Sequence, residues 1–136
     1  MAISILIRNR SLTIGDPSLL KAWFSSIYVL LEGKKWGRLY PIIMRELYTG
    51  ALDAASIEQA CVELKQIQAG FKGFSPQDLV WDFEKLDARP PWDNHISDNI
   101  TSLSNYFVTS SGEDLFQVFE QAFQEAQRSR VGVQIR

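Results

Sequence analysis

Two side chains in this sequence have the reactivity that catalysis most often uses, the thiol of Cys61 and the imidazole of His95. Together they would form a nucleophile and its base. Cys61 falls on the apolar face of a predicted helix, however, where a free cysteine usually packs and does not react. His95 lies in a polar loop near Asp93 and Asp98. A small enzyme that uses His95 with one of these carboxylates is therefore one alternative function.

The counts of these residue types exclude several kinds of site. A single cysteine excludes an internal disulfide and a zinc site with several thiolates, and a single histidine excludes zinc sites that need two imidazoles. Asp78, Asp82 and Glu84 partly share a helical face, but no glycine-centred calcium loop accompanies them. The sequence also lacks a phosphate-binding loop, a dinucleotide fingerprint and the common hydrolase motifs. We therefore expect no metal, no cofactor and no catalytic residue, and a protein that is not an enzyme.

A second alternative function rests on Trp36 and the basic residues around it. Lys34, Lys35 and Arg38 flank this tryptophan, and a ring for stacking beside cations is the minimum that single-stranded RNA binding needs. The other explanation is that Trp36 closes the corner between two helices while its charged neighbours stay solvated. The net charge of −2 and the pI of about 5.4 argue against general binding of nucleic acid or anionic membranes by the whole chain.

Charge is distributed unevenly along the chain. Residues 1–50 carry seven Lys and Arg against three Asp and Glu, whereas residues 51–100 carry four against nine. The acidic residues are densest between positions 78 and 98, where they are Asp78, Asp82, Glu84, Asp87, Asp93 and Asp98. Such a segment is either a solvated face or an acidic patch that meets a basic partner, since complementary charge raises association rates and selects partners.

Tryptophan and proline lie within this acidic segment. Pro90 and Pro91 precede Trp92, and Trp81 lies earlier in the segment. A tryptophan beside prolines forms a rigid apolar surface, and aromatic residues among acids resemble an interface hot spot with a charged rim. The alternative is that both tryptophans pin the long loop to the core.

The elements that position these residues can be predicted from periodicity and capping residues. Residues 2–8 are β-branched and partly alternating, which predicts a strand. Asp16 followed by Pro17 predicts a helix start, and an apolar stripe follows at helical spacing. Its members are Leu20, Trp23, Phe24, Ile27, Tyr28 and Leu31. Further helices are predicted over residues 40–48 and 54–69, and a short one is predicted after Ser75.

The C-terminal part of the sequence predicts two more strands and a last helix. Residues 101–110 contain a β-prone run, residues 111–114 begin a helix with Ser110 or Ser111 as its cap, and residues 131–135 form a final strand. The pattern predicts an α+β fold with a small β-sheet packed with about four helices, in a single domain over residues 1–136. No apolar stretch approaches the ~20 residues of a membrane span, and the N-terminus lacks the pattern of a secretory signal, so we expect a cytoplasmic protein.

Four segments, in order, resemble the pattern of the immunity protein 70 family. They are WGRLYPIIMRELYTGAL (36–52), FSPQDLVWDFE (74–84), PPWDNHIS (90–97) and LSNYFVTSSGEDLF (103–116). The resemblance covers roughly residues 16–126. Proteins of this family are associated with bacterial polymorphic and contact-dependent toxin systems.

The resemblance implies an immunity protein that binds and neutralises a cognate toxin domain in the cytoplasm. Toxins of these systems are often nucleases with basic surfaces, so an acidic face would take the place of nucleic-acid phosphates. We expect a 1:1 complex with the C-terminal domain of the toxin, without membrane or direct nucleic-acid contact. The residues that we expect to bind the toxin are Asp78, Asp82, Glu84, Asp87, Trp92 and Asp93.

Overall fold

Four short strands form one antiparallel sheet in the computed structural model, which describes residues 2–93 and 95–136. The strands are β1 (Ile3–Ile7), β2 (Arg10–Gly15), β3 (Ala51–Leu52) and β4 (Val133–Ile135). Their order in the sheet is β2-β1-β4-β3, and Ile5 of β1 lies opposite Leu12 on one side and Ile135 on the other. Strands from the two ends of the sequence are therefore neighbours at the centre of the sheet.

Three α-helices accompany this sheet in the described part of the chain. They are α1 (Pro17–Ser26), α2 (Ile57–Phe71) and α3 (Leu115–Ser129), and α1 continues as a π-helical turn, Ile27–Leu31. Shorter helical turns occupy Ile42–Glu46, Leu47–Thr49, Ala54–Ser56, Pro76–Asp78 and Leu103–Asn105. The helix α3 contacts β1, β2 and α2, and α1 contacts β2. The predicted α+β fold, a small sheet packed with about four helices, is confirmed.

Aromatic side chains fill the core between the helices and the sheet. The ring of Trp23 meets those of Phe24 and Phe116 edge-on, with centroids 5.1 and 5.7 Å apart, and Phe119 stacks on Phe123. Both Ile5 and Ile7 are buried, whereas Leu6 between them is partly exposed. Because side chains alternate along a strand, one face of β1 meets the core and the other is open to solvent.

The predicted start of α1 is confirmed in detail. The Asp16 carboxylate accepts hydrogen bonds from the backbone N–H of Ser18 at 2.8 Å and from its hydroxyl at 2.6 Å, and Pro17 opens the helix. Both bonds lower the pKa of Asp16, and the bond from the Ser18 hydroxyl has the larger effect. The short final strand after residue 131 is also confirmed.

The predicted strand over residues 101–110 is wrong. Ser102 and Asn105 instead form a capping box around a short helical turn, with the Asn105 side chain accepting hydrogen bonds from the backbone of Thr101 and Ser102. Serine and asparagine offer the backbone local partners that compete with a strand ladder. Only Val108 in this range makes a bridge, to Asp114.

The predicted cap of the last helix is also wrong, and two strands, β2 and the two-residue β3, were not predicted. Asp114, and neither Ser110 nor Ser111, caps α3, by accepting a hydrogen bond from the backbone N–H of Phe116 at 3.0 Å. The strand β2 follows β1 through a turn at Arg8, which takes a positive φ of 52° without the glycine that would mark such a turn in sequence.

Candidate partner-binding surface

The segment from Val80 to Glu84 lies along α1 and is held there by two buried serines. The hydroxyl of Ser26 bonds to both the N–H and the carbonyl of Val80, at 3.1 and 3.2 Å. The N–H of Phe83 donates to the Ser25 hydroxyl at 2.9 Å. Both serines interrupt the apolar run of α1, and both are fully buried. Polar residues at two buried positions of a helix therefore position an acidic segment on its surface.

Lys21 of α1 binds two carboxylates of this segment. Its Nζ lies 2.7 Å from Glu84 and 3.3 Å from Asp82. The hydrogen bond to Glu84 is the main cause that raises the pKa of Lys21. The hydrogen bond from the backbone N–H of Glu84 is the main cause that lowers the pKa of Asp82, and Lys21 lowers it further. The structure therefore brings Asp82 and Glu84 together, with a cation between them.

Trp92 is anchored at one end and exposed at the other. Its indole N–H donates to the Tyr106 hydroxyl at 2.7 Å, and its ring meets that of Trp81 edge-on at 5.4 Å. Burial raises the pKa of Tyr106. The side chain of Trp92 is nevertheless 37% exposed. Both interpretations from the sequence apply to this residue, because it pins the loop and also presents an aromatic surface.

Two depressions lie beside Trp92, and we call them together the Trp92 groove. They have volumes of about 260 and 220 Å³ and share Leu19, Trp92 and Val108. The larger one is completed by residues that include Ile96, Ile100 and Tyr106, and the smaller one by residues that include Ile14, Trp81 and Pro91. Since Trp81 belongs to the segment held by α1, the groove adjoins Asp82 and Glu84 in the chain.

The remaining acidic residues predicted to bind a partner have different surroundings. Asp78 accepts a hydrogen bond from the N–H of Ser75 at 2.9 Å and so completes its own helical turn. Asp93 forms an ion pair with Arg89 at 3.1 Å. Asp87 is exposed and makes no hydrogen bond or ion pair within residues 2–93 and 95–136. Of the acidic residues predicted to bind the toxin, Asp87 therefore presents the least compensated charge.

His95 lies at the edge of the larger depression but has no catalytic partner among the described residues. Its Nδ1 is 3.1 Å from the carbonyl oxygen of Trp92, and Asp93 is bound to Arg89 instead. The concave surface that the enzyme alternative requires is present, but its walls are mostly apolar. The His95 imidazole is exposed and contacts a backbone carbonyl. No carboxylate of the described residues therefore orients it as a general acid or base.

The basic loop around Trp36 is built into the fold. The Trp36 N–H donates to the carbonyl of Met44 at 2.6 Å, and its ring contacts those of Tyr28, Tyr48 and Phe83. The structure thus supports the explanation that Trp36 closes a corner, since its partly buried ring already contacts three aromatic rings of the protein.

Sequence reasoning missed the residues that form the groove with Trp92. Leu19 and Val108 lie far from Trp92 along the chain, in α1 and in the segment before α3. Val108 is 42% exposed, but in the sequence it belongs to an apolar run that suggested a strand. No local signal distinguishes these residues from ordinary core positions, because only the packing of three segments brings them together.

No group of three or more His, Cys, Asp and Glu residues within the described part of the chain could hold a metal ion. None of the described helices is both long and apolar enough to cross a bilayer.

The family model described as Immunity protein 70 matches residues 5–135, which is nearly the whole chain. No curated protein and no solved structure matches this chain. The matched range includes at least part of every strand and helix described above.

Proposed function

Because the chain belongs to the immunity protein 70 family, we propose that it binds and neutralises a cognate bacterial toxin domain in the cytoplasm of the cell that makes it. The observation that carries this proposal is the family match over residues 5–135. Immunity proteins are generally not enzymes, so the chain acts by binding and needs no cofactor. The partner is the C-terminal domain of the toxin, in a 1:1 complex.

The surface around Trp92 supports a role in protein binding. Exposed tryptophan that is held in place by its neighbours is typical of interface hot spots. The carboxylates of Asp82, Glu84, Asp87 and Asp93 surround it in the sequence. A surface of this composition suits a basic partner, and a nuclease is such a partner because it must bind phosphates. We therefore propose a nuclease toxin and the interface residues Asp78, Asp82, Glu84, Asp87, Trp92 and Asp93.

The first experiment is to capture the toxin with the tagged chain from its native cytoplasm and to identify bound proteins by mass spectrometry. We expect the C-terminal region of a large secreted protein in near-equal amount. That region, expressed alone, should arrest growth, and co-expression of this chain should restore growth. A captured region that is harmless, or growth arrest that the chain does not relieve, would contradict the proposed function.

Charge reversal tests the acidic part of the interface. Asp87→Lys should slow association with the toxin domain roughly tenfold at low salt, because it removes the carboxylate that has no partner in the described structure. Reversal of Asp82, Glu84 and Asp93 as well should slow it further. Asp53→Lys is the control, since Asp53 is exposed, lies before α2 and does not line the Trp92 groove. Equal rates for the Asp87 and Asp53 variants would show that the acidic segment is not the interface.

A further inference from the structure

We propose that the Trp92 groove is the anchoring site of the toxin, where one apolar side chain of the toxin is inserted next to a Lys or Arg of the toxin. This inference rests on the proposed function and adds the place of contact and the chemistry of the contacting residues. It centres the interface on Trp92 together with two residues that the sequence did not indicate, Leu19 and Val108.

The shape of the groove fits an inserted side chain. Its two depressions, of about 260 and 220 Å³, meet at Trp92, Leu19 and Val108. Trp92 and Val108 are both partly open to solvent, at 37% and 42% exposure. Apolar surface that remains exposed in a folded chain gains free energy when a partner covers it, and central apolar pockets carry most of the energy of protein interfaces.

Two of the residues that form the groove, Trp92 and Val108, are held in place by contacts within the protein. The indole of Trp92 is fixed by the Tyr106 hydroxyl at 2.7 Å and by the ring of Trp81. Val108 is fixed by its bridge to Asp114, the residue that caps α3. Preformed walls lose little conformational entropy on binding, which is what allows a small groove to contribute substantial affinity.

The charge around the groove selects the chemistry of the partner. Asp16 lines the smaller depression, and no Lys or Arg of the described residues lines either one. Asp98, between the lining residues Ser97 and Ile100, is exposed and makes no ion pair within the described part of the chain. Arg89 is close enough to Tyr106 to influence its pKa, but it forms an ion pair with Asp93, and His95 also lines the larger depression. Among the described Asp, Glu, Lys and Arg residues, Asp16 lines the groove itself, so a cation beside the inserted side chain is favoured and a carboxylate there is repelled.

The test measures how tightly variants of the full chain bind the captured toxin domain. The toxin domain is used as a catalytically inactive variant. Val108→Arg should raise the dissociation constant roughly thirtyfold, which corresponds to about 2 kcal/mol, because it fills the groove and repels the toxin cation. Val62→Arg is the matched control, since Val62 is 44% exposed and lies on α2 outside the groove. This control should bind within about twofold of the unmodified chain.

The sign of the introduced charge tests the cation. Val108→Glu blocks the same space but attracts a Lys or Arg, so it should weaken binding several-fold less than Val108→Arg. If the two variants lose the same amount of affinity, the toxin has no cation beside the groove, and only the inserted apolar side chain remains supported. If Val108→Arg does not fold, as judged by circular dichroism, Ser97→Arg introduces the cation at an exposed position of the same groove.

The possible outcomes separate this inference from the proposed function. Failure of the unmodified chain to bind any toxin domain overturns both. Tight binding by the unmodified chain, with Val108→Arg or Ser97→Arg unchanged, overturns the groove and leaves the immunity function. A groove occupied by a second copy would appear as a dimer in light scattering that Val108→Arg converts to a monomer, and that result also overturns the toxin-anchoring role.

Discussion

Glu32 and Glu63 are fully buried carboxylates that hold the segment from Gly37 to Ile43 in place. Glu32 accepts hydrogen bonds from the backbone N–H groups of Gly37, Leu39 and Tyr40, at 3.0 to 3.1 Å. Glu63 of α2 accepts from Ile42 and Ile43, at 3.3 and 2.9 Å. Ile42 and Ile43 lie at the start of the helical turn Ile42–Glu46, where backbone N–H groups have no partner within the helix, and Gly37, Leu39 and Tyr40 lie in the loop before it. Glu63 therefore acts as a cap supplied by another helix, and Glu32 holds the loop that leads into the turn.

Replacement of one buried carboxylate by an amide should destabilise the protein. Glu63→Gln leaves one oxygen to accept and turns an NH₂ group toward backbone donors, so we expect the free energy of unfolding to fall by about 2–3 kcal/mol in urea titrations. Glu58→Gln, on the exposed side of the same helix, should change it by less than about 0.5 kcal/mol. Similar losses for both variants would mean that the Glu63 hydrogen bonds do not stabilise the fold.

At the scale of elements, α1 connects the core to the proposed interface. Its inner side carries Trp23 and Phe24, and its buried serines and Lys21 hold the segment from Val80 to Glu84. The beginning of the same helix supplies Asp16 and Leu19 to the Trp92 groove. A displacement of α1 would therefore alter the groove and the acidic segment together.

The attachment of this segment to α1 should depend on pH. The pKa of Asp82 is lowered by the N–H of Glu84 and by Lys21, so the folded protein favours the ionised carboxylate. The stabilisation is present at neutral pH and is lost as the pH falls through the lowered pKa of the folded state. In urea titrations from pH 7 to pH 3, Asp82→Asn should be less stable than the unmodified chain at pH 7, and the difference should shrink toward acid.

Asp87→Asn is the control for this pH dependence. Asp87 makes no ion pair within the described residues, so its replacement should leave the stability nearly unchanged at each pH. A difference for Asp82→Asn that is constant across the range would show that the loss comes from packing and has no electrostatic part.

At the scale of the whole molecule, the sheet ties together distant parts of the chain. β4 lies between β1 and β3, and the N–H of Ser4 donates to the carbonyl of Arg136 at 2.8 Å. Since each strand is too short to be stable alone, the sheet forms only when the segments at both ends and in the middle of the sequence meet.

This topology predicts a single cooperative unfolding transition. The four tryptophans, at positions 23, 36, 81 and 92, report on the core, the Trp36 corner and the groove. Their fluorescence and the far-UV circular dichroism should therefore give coincident urea curves. Deletion of residues 131–136 removes β4 and should abolish the transition seen by both probes. Two separate transitions, or a deletion variant with an unchanged midpoint, would contradict a single domain.

Local features of the sequence were enough for the fold class, the family and much of the helical structure. Asp16 before Pro17 marks the start of α1, and the spacing of Leu115, Phe119 and Ala122 marks the buried side of α3, because capping and helical periodicity depend on residues a few positions apart. The same local reasoning failed over residues 101–110, where the Ser102 and Asn105 side chains satisfy the backbone in place of a neighbouring strand.

The proposed binding surface, by contrast, arises from contacts between distant residues. Trp92 meets Leu19 and Val108 only after α1, the proline-rich loop and the segment before α3 have packed together. The pairing of Asp82 and Glu84 with Lys21, and the absence of any such partner for Asp87 in the described structure, likewise follow from the packing of separate segments. A sequence lists the charges and the apolar side chains, but which of them remain uncompensated or exposed depends on distances that exist only in the folded chain.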